Sequence, residues 1–341
     1  MVAAVVGDLR RQREKVVTIQ KFLITDRQQW HDLRKDDVTG SEVGALFDVH
    51  RYLTPAKLYA LKSGAMAEEE KTGGPIDRGV NLESFVASQV AAKHPEWSIA
   101  KATHYYRDVE HRLGGTPDYA IADRDPTSDN AGHGVLEIKT VGRSDFIRIW
   151  RGGDPEGEII PEPWQLLQIM TYIYLTGAAY GKVAVLPVGE WEPMKVHVVD
   201  VPRSDAAIAK IIEHTDRFWG DIDEGIEPKF NFEKDMDVIK AIYANAKPGS
   251  TIDYRGDQEF AELLAWHAKY GDEEKFANER KEAVAANIRS RMGEYEVALA
   301  DGWSVSLKEQ HRKEFVSKAT SFRVLRAKQH GAKQRKIEGL D

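Results

Sequence analysis

Hydrophobic side chains recur every three or four residues in several stretches of the chain, which is the spacing of one buried helix face. The stretch 78–92 is the clearest example. Thr54 followed by Pro55 is typical of a helix start, because threonine caps the first turn and proline fits the first helical position. The same signals predict helices at 28–33, after a cap at 39–41, and at 163–175.

Between these helices, apolar and β-branched residues form short runs bounded by turn residues, which is typical of strands. The first two runs are separated by a stretch rich in Asp, Asn, Gly and Pro, so they are predicted to form a hairpin with a long loop. The element order α, β, β, α, β, β predicts an α/β (α+β) fold in which a small mixed sheet lies between helices. The predicted strands are 119–121, 135–140, 182–186 and 195–201.

The pattern changes beyond residue 230. Residues 257–292 predict one or two long amphipathic helices, and residues 295–307 predict a hairpin with a primed turn at Asp301-Gly302. The predicted parts are a basic N-terminal extension (1–27), a core (28–230) and an accessory helical and hairpin module with a basic tail (231–341).

Composition excludes several classes of protein. The 341 residues are 42% hydrophobic and 30% charged, which suits a globular chain of about two domains. The absence of cysteine excludes thiolate metal sites, disulfides and cysteine nucleophiles, so a bound metal would have hard oxygen ligands. The sequence has no long apolar run and no secretory signal, so we expect a cytoplasmic protein without a membrane partner.

Charge is unevenly distributed along the chain. The 48 Lys and Arg residues against 55 Asp and Glu give a net charge of −7. Residues 308–336 hold ten basic and two acidic side chains, a net +8, which leaves −15 for the remainder. This asymmetry favours a polyanionic partner for the tail, with a solvated basic surface as the alternative.

The sharpest chemical signal lies in the predicted hairpin. Side chains alternate along a strand, so Glu137 and Lys139 project to the same face. Asp118, stiffened by Pro117, begins the preceding strand and can approach Glu137. Two carboxylates in one cleft bind Mg²⁺ readily. The alternative is a surface strand with an ion pair worth less than about 1 kcal/mol.

Further motifs occur in a fixed order around this hairpin. Taken together, they resemble the lambda-exonuclease and YqaJ viral recombinase branch of the PD-(D/E)XK nucleases over residues 28–230. The resemblance implies a restriction-endonuclease-like core. The motifs that carry it are Trp30-His31, Leu33-Arg34, Val38-Thr39-Gly40-Ser41-Glu42-Val43, Leu82-Glu83, Thr116-Pro117-Asp118, Glu137-Ile138-Lys139 and Gln168.

The resemblance also implies roles for individual residues. Asp118 and Glu137 would be the main metal ligands, helped by the backbone carbonyl of Ile138, with Glu83 a further acidic ligand, directly or through water. Lys139 would activate the attacking water and Gln168 would help to hold it. Two Mg²⁺ ions are expected, with Mn²⁺ as a substitute.

Arg34, Ser41 and Thr116 match the family's pocket for a 5′-terminal phosphate, and Arg143 is a candidate contact to the DNA backbone. Plainer interpretations stay open at this point. Arg34 can be a surface ion-pairing residue and Ser41 a helix cap, Arg143 can serve solubility, and Gln165 competes for the role of Gln168.

The expected activity is Mg²⁺-dependent 5′-to-3′ hydrolysis of linear duplex DNA that leaves 3′ single strands for phage-type recombination. The resemblance further implies double-stranded DNA ends and a single-strand annealing protein as partners, a trimeric ring, and the bacterial host cytoplasm as the location of a phage-encoded protein. The alternatives are a site- or structure-specific endonuclease of the same fold and a non-hydrolytic DNA-end binding protein.

Overall fold

The computed structural model gives the following elements in chain order. The helices are α1 (Arg27–Lys35), α2 (Val43–Leu46), α3 (Pro55–Lys62), α4 (Pro75–Lys93), α5 (Arg143–Asp145), α6 (Pro163–Thr176), α7 (Asp205–Glu224), α8 (Met236–Ile242) and α9 (Gln258–Met292), with a π-helical turn at Phe146–Trp150. The strands are β1 (Ile19–Leu23), β2 (Val38–Thr39), β3 (Trp97–Lys101), β4 (His104–Asp108), β5 (Leu113–Gly115), β6 (Tyr119–Asp123), β7 (His133–Gly142), β8 (Tyr180–Val188), β9 (His197–Pro202), β10 (Val297–Ala300) and β11 (Trp303–Ser306). The structure describes residues 19–68, 73–125, 127, 132–189, 194–311 and 323–327.

A mixed sheet with the strand order β3-β6-β7-β8-β9 contains the predicted hairpin. Strands β6 and β7 pair antiparallel, with Tyr119 opposite Leu136, whereas β7 and β8 pair parallel. The connection between the two parallel strands is made by α5, the π-helical turn and α6. The predicted α/β class, with a mixed sheet flanked by helices, is confirmed.

Helices cover both faces of this sheet, which explains why β8 is buried over residues 180–187. On one face, Val86 and Val90 of α4 pack with Leu136 and Ile138 of β7. On the other face, apolar side chains of α6 and α7 pack with those of β8. The residues are Ile169 and Ile173 of α6, Ile208 and Ile211 of α7, and Val183 and Val185 of β8. The two sides of β7 therefore face different helices.

A second sheet, with the order β1-β4-β5-β2, was not expected from the sequence. Two of its strands, β2 and β5, have only two and three residues, too few to give a periodic pattern. Strand β1 lies within the predicted N-terminal extension and pairs antiparallel with β4.

Two helix starts test the capping predictions. Thr54 does cap α3, because its hydroxyl accepts a hydrogen bond from the Lys57 amide at 3.0 Å. The predicted cap at 39–41 is wrong: Glu42 is the residue at the cap of α2, and its side chain makes no capping bond. Thr39 instead belongs to β2, where its amide and hydroxyl bind the Glu42 carboxylate.

The chain divides into two units, Met1–Ile242 and Tyr243–Asp341. The second unit contains α9 and the β10–β11 hairpin, as predicted. The primed turn is wrong, because of the two turn residues only Gly302 takes a positive φ, 74°. Residues 1–18 of the predicted extension, and residues 312–322 and 328–341 of the predicted tail, lie outside the described residues.

In the part of the chain that the structure describes, no helix has both the length and the apolar composition needed to cross a bilayer.

Candidate active site

Strand β7 presents Glu137 and Lys139 on the face covered by α6, as the alternation of side chains predicts. Lys139 Nζ donates hydrogen bonds to Glu137 Oε1 and to Gln168 Oε1, both at 2.9 Å. Gln168 Nε2 donates to the same Glu137 oxygen at 2.6 Å. Three of the predicted site residues thus form a closed ring of hydrogen bonds.

Charge fixes the orientation of the Gln168 amide within this ring. Its oxygen must face the Lys139 ammonium, which only donates, and its nitrogen must face the Glu137 carboxylate, which only accepts. The same nitrogen also donates to the hydroxyl oxygen of Tyr172 at 3.2 Å. Burial raises the pKa of Tyr172, and the Glu137 charge raises it further, so this residue is a neutral phenol that helps to hold the amide.

Two glycines accommodate the ring of Tyr172. A Cβ atom built on Gly40 would lie 2.5 Å from Tyr172 Cε1, and one built on Gly115 would lie 2.6 Å from the same atom. Both distances are far below a van der Waals contact, so any larger residue would displace the ring. Glycine at these positions lets the segment after β2 and strand β5 approach α6 closely.

Asp118 lies beside Glu137 because of the hairpin register. Tyr119 pairs with Leu136 in the antiparallel hairpin, so Asp118, just before Tyr119, lies next to Glu137, just after Leu136. Asp118 Oδ2 accepts a hydrogen bond from the Ile138 amide at 2.8 Å. Burial and then the negative charge of Glu137 raise the pKa of Asp118 to about 8. Two carboxylates therefore face each other in a poorly solvated place.

The second oxygen of Glu137 bears most directly on whether the site fits a cation. Glu137 Oε2 is buried and has no hydrogen-bond partner among the described residues. A buried carboxylate oxygen without a partner is costly, and a hard divalent cation is the natural partner for oxygens of this type. The Asp118–Glu137 pair therefore fits such an ion.

Glu83 of α4 lies at the edge of this pair. Its carboxylate pairs with the Lys101 ammonium, and its charge makes a small contribution to the raised pKa of Asp118. No group of three or more Asp, Glu or His side chains with metal-site geometry is found in the described ranges. The role of Glu83 as a further ligand stays a prediction.

Two residues of the predicted phosphate pocket, Arg34 and Ser41, contact each other. Arg34 Nη2 donates to Ser41 Oγ at 3.2 Å, and the guanidinium lies 4.4 Å from the centre of the Trp30 ring. Glu42 lies 4.0 Å from Arg34 and 2.9 Å from Lys62 Nζ. Arg34 is thus held between an aromatic ring and a carboxylate. Ser41 does not cap α2, because Glu42 is the residue at that cap.

The remaining predicted residues differ in their surroundings. The Thr116 hydroxyl oxygen is buried without a hydrogen-bond partner among the described residues, two positions before Asp118. Arg143 is exposed in α5, directly after β7. Gln165 takes part in the capping box of α6 with Glu162, so Gln168, not Gln165, contacts the site.

Sequence reasoning missed two lysines near the site, Lys62 and Lys101. Lys62 donates to Glu42 and to the Arg34 carbonyl oxygen, both at 2.9 Å. Lys101 lies in β3 and pairs with Tyr119, the residue that follows Asp118 in the chain. Their partners are 18 or more residues away in sequence, and no local pattern indicates such contacts. The pairing of β3 with β6 would have revealed Lys101.

The first unit thus combines a mixed α/β fold with two buried, facing carboxylates, a lysine bonded to one of them, and the Arg34–Ser41 pair. Residues 29–179 match the family model of the YqaJ-like viral recombinase domain. Over these residues the chain is similar to that family, and the resemblance found in the sequence is confirmed.

Solved structures are similar to this chain at low sequence identity. An alkaline exonuclease from Laribacter hongkongensis is 19% identical with a TM-score of 0.44, and the match covers 62% of this chain and 100% of that one. A phage-related exonuclease from Haemophilus somnus is 11% identical with a TM-score of 0.36, covering 56% and 96%. A SOX–DNA complex is 11% identical with a TM-score of 0.36, and the match covers 61% of this chain and 71% of that one. No curated protein sequence matches significantly.

Proposed function

We propose that this protein is a Mg²⁺-dependent exonuclease that hydrolyses phosphodiester bonds of linear double-stranded DNA. The observation that carries the proposal is the buried, unpartnered Oε2 of Glu137 beside Asp118 and Lys139. The YqaJ-like domain supports the same activity. The cationic side chains near the site, Arg34, Lys62 and Lys101, are suited to binding the phosphates of a nucleic acid.

Asp118, Glu137 and the backbone carbonyl of Ile138 would hold the cation, with Glu83 as a further acidic ligand. Two Mg²⁺ ions are proposed, and Mn²⁺ is expected to substitute, because carboxylate and carbonyl oxygens suit both. When bound, such ions lower the pKa of the attacking water and stabilise charge on the leaving oxygen. Binding would also satisfy Glu137 Oε2 and relieve the repulsion between the two carboxylates.

The chain's own side chains would supply orientation and charge. Lys139, held by Glu137 and Gln168, would direct the attacking water and offset negative charge that develops on the phosphate. Gln168, itself held by Tyr172, would keep Lys139 and Glu137 in place.

Direction of digestion is proposed from the pocket around Arg34. Its guanidinium and the hydroxyls of Ser41 and Thr116 would bind a 5′-terminal phosphate, and Arg143 would contact the DNA backbone. The activity would then run from 5′ to 3′ and leave 3′ single strands for an annealing protein. We further propose that the protein assembles as a trimeric ring and acts in the cytoplasm of a bacterial host.

The decisive test is digestion of linear duplex DNA labelled at either terminus, with closed circular DNA in parallel. We expect Mg²⁺-dependent release of the 5′ label first, and intact circles. Cutting of circles would identify an endonuclease of the same fold. Stable binding without any hydrolysis would identify a DNA-end binding protein and overturn the proposal.

A further inference from the structure

A cationic pocket of about 560 Å³ lies beside the start of α3 in the first unit. Its lining is unusually rich in positive charge: four cationic side chains face one carboxylate, Asp237. The aromatic ring of Tyr52, which is 62% exposed, also lines the pocket. The cationic side chains are Arg51, Lys57, Lys234 and Lys240.

The pocket is a fixed part of the fold. Asp235, which is 1% exposed, accepts a hydrogen bond from the Thr54 hydroxyl, the same hydroxyl that caps α3. Its other oxygen accepts from the Asn231 amide at 2.7 Å. Lys57 of α3 pairs with Asp237 of α8. These contacts attach the segment before α8 to the start of α3, so the positions of the flanking lysines are set by the backbone.

The cations of the pocket divide into two kinds. Arg51 is neutralised by Asp145 at 3.0 Å, and Lys57 by Asp237. Lys234 and Lys240 are exposed, and neither forms an ion pair with any residue that the structure describes. Lysine side chains of this kind can bind phosphate groups, and the exposed Tyr52 ring, which lies 5.3 Å from the Arg51 guanidinium, is a surface on which a base can stack.

A row of aromatic side chains leads from the carboxylate site toward this pocket. Lys139 Nζ lies 5.4 Å from the centre of the Trp164 ring. The His50 ring centre lies 4.7 Å from that of Trp164 and 6.3 Å from that of Tyr52. The rings of Trp164, His50 and Tyr52 therefore connect the neighbourhood of Lys139 with the pocket.

From these contacts we propose that the pocket binds an unpaired segment of DNA strand, with one base stacked on Tyr52 and the adjacent phosphates on Lys234 and Lys240. The ligand is single-stranded because the faces of paired, stacked bases are not accessible to a side chain. The choice of DNA rests on the proposed function, since the strand is part of the nuclease substrate or product.

The test measures binding of the full chain to a fluorescent oligothymidine of about 12 nucleotides by anisotropy. EDTA is present throughout, so hydrolysis plays no part and a failed nuclease assay leaves the result interpretable. A duplex of equal length is measured alongside. The matched control, Lys21→Ala with Lys195→Ala, removes two exposed lysines of the same unit that likewise form no ion pair with a residue that the structure describes.

We expect Lys234→Ala with Lys240→Ala to reduce the slope of log affinity against log salt by about 1.4, or about 0.7 per lost phosphate contact. Tyr52→Ala should weaken single-strand binding by about 5- to 100-fold, and Tyr52→Phe by less than about twofold, because phenylalanine still stacks. The control pair should leave both quantities close to wild type.

Three results would overturn the proposal. The first is an equal loss in the control and pocket lysine variants, which would show a general charge effect. The second is equal binding by Tyr52→Ala and Tyr52→Phe. The third is a loss of duplex binding in Tyr52→Ala as large as the loss of single-strand binding, which would identify a duplex contact.

Discussion

At the scale of single residues, the site depends on the direction of a few hydrogen bonds. Lys139 and Glu137 force the Gln168 amide into one orientation, and the Tyr172 hydroxyl oxygen accepts a second hydrogen bond from the Gln168 nitrogen. Among the described residues, the Tyr172 hydroxyl forms no hydrogen bond with Asp118 or Glu137, so we regard Tyr172 as a positioning residue. Its effect on hydrolysis must pass through Gln168.

Tyr172→Phe keeps the ring and removes only the hydroxyl. Because one hydrogen bond is worth about 0.5–1.5 kcal/mol, we expect kcat for DNA hydrolysis to fall about 3- to 10-fold with KM unchanged. The matched control is Tyr174→Phe on the same helix, whose hydroxyl binds Asp108 instead. Steady-state kinetics that give the same kcat loss in both variants would contradict the positioning role.

Glu42 supplies a prediction about pH. Although burial opposes ionisation, the positive charges of Lys62 and Arg34 hold the pKa of Glu42 below its ordinary value of 4.5. A lowered pKa in the folded state stabilises the protein above the unfolded pKa, and this contribution is lost as pH falls through the folded value. Glu42→Gln should therefore cost about 2–4 kcal/mol near neutral pH and less in acid.

Denaturant unfolding of wild type and Glu42→Gln, at about pH 7 and about pH 3, measures this difference directly. A gap between the two proteins that stays constant across that range would show that Glu42 does not act through its charge.

Site residues could be predicted from the sequence where their contacts are set by a single strand or hairpin. Glu137 and Lys139 share a face because strands alternate, and Asp118 approaches them because a hairpin returns on itself. Lys62 and Lys101 contact their partners only through tertiary packing. The roles of Glu83, Arg34, Ser41, Thr116 and Arg143 stay predictions.

At the scale of elements, the site depends on the close approach of α6 to the small second sheet. Gly115 of β5 and Gly40 after β2 leave room for Tyr172. Helices α1, α3, α4 and α6 and strands β6 to β9 are predicted from hydrophobic periodicity and cap signals, whereas α7 and β3 are not. The second sheet is not predicted either, because pairing between short strands such as β2 and β5 is decided by contacts with the rest of the fold.

Gly115→Ala tests this packing. The added Cβ would meet the Tyr172 ring at 2.6 Å, so we expect a loss of about 1–3 kcal/mol in the free energy of unfolding and reduced hydrolysis. Gly220→Ala is the control, because a Cβ there meets open space on α7 and should raise stability by about 0.5–1 kcal/mol. Thermal unfolding in which both substitutions have the same sign would contradict the packing described.

At the scale of the whole molecule, both larger sheets and every candidate site residue belong to the first unit. A chain that ends at Ile242 is therefore expected to fold and to hydrolyse linear DNA. Circular dichroism melting and the end-label assay check the two parts of this prediction. A truncated chain that is folded but inactive would show that residues of the second unit are needed for the reaction.

The central claim is that Asp118 and Glu137 hold a divalent cation for DNA hydrolysis. The most direct measurement is the rate of linear duplex digestion as a function of Mg²⁺ concentration for wild type and Glu137→Gln, with unfolding checked in parallel. We predict no hydrolysis in EDTA, a saturable rise with Mg²⁺ in wild type, and at least about a 100-fold loss in a folded Glu137→Gln. Equal Mg²⁺ curves for the two proteins, or full activity in EDTA, would contradict the account.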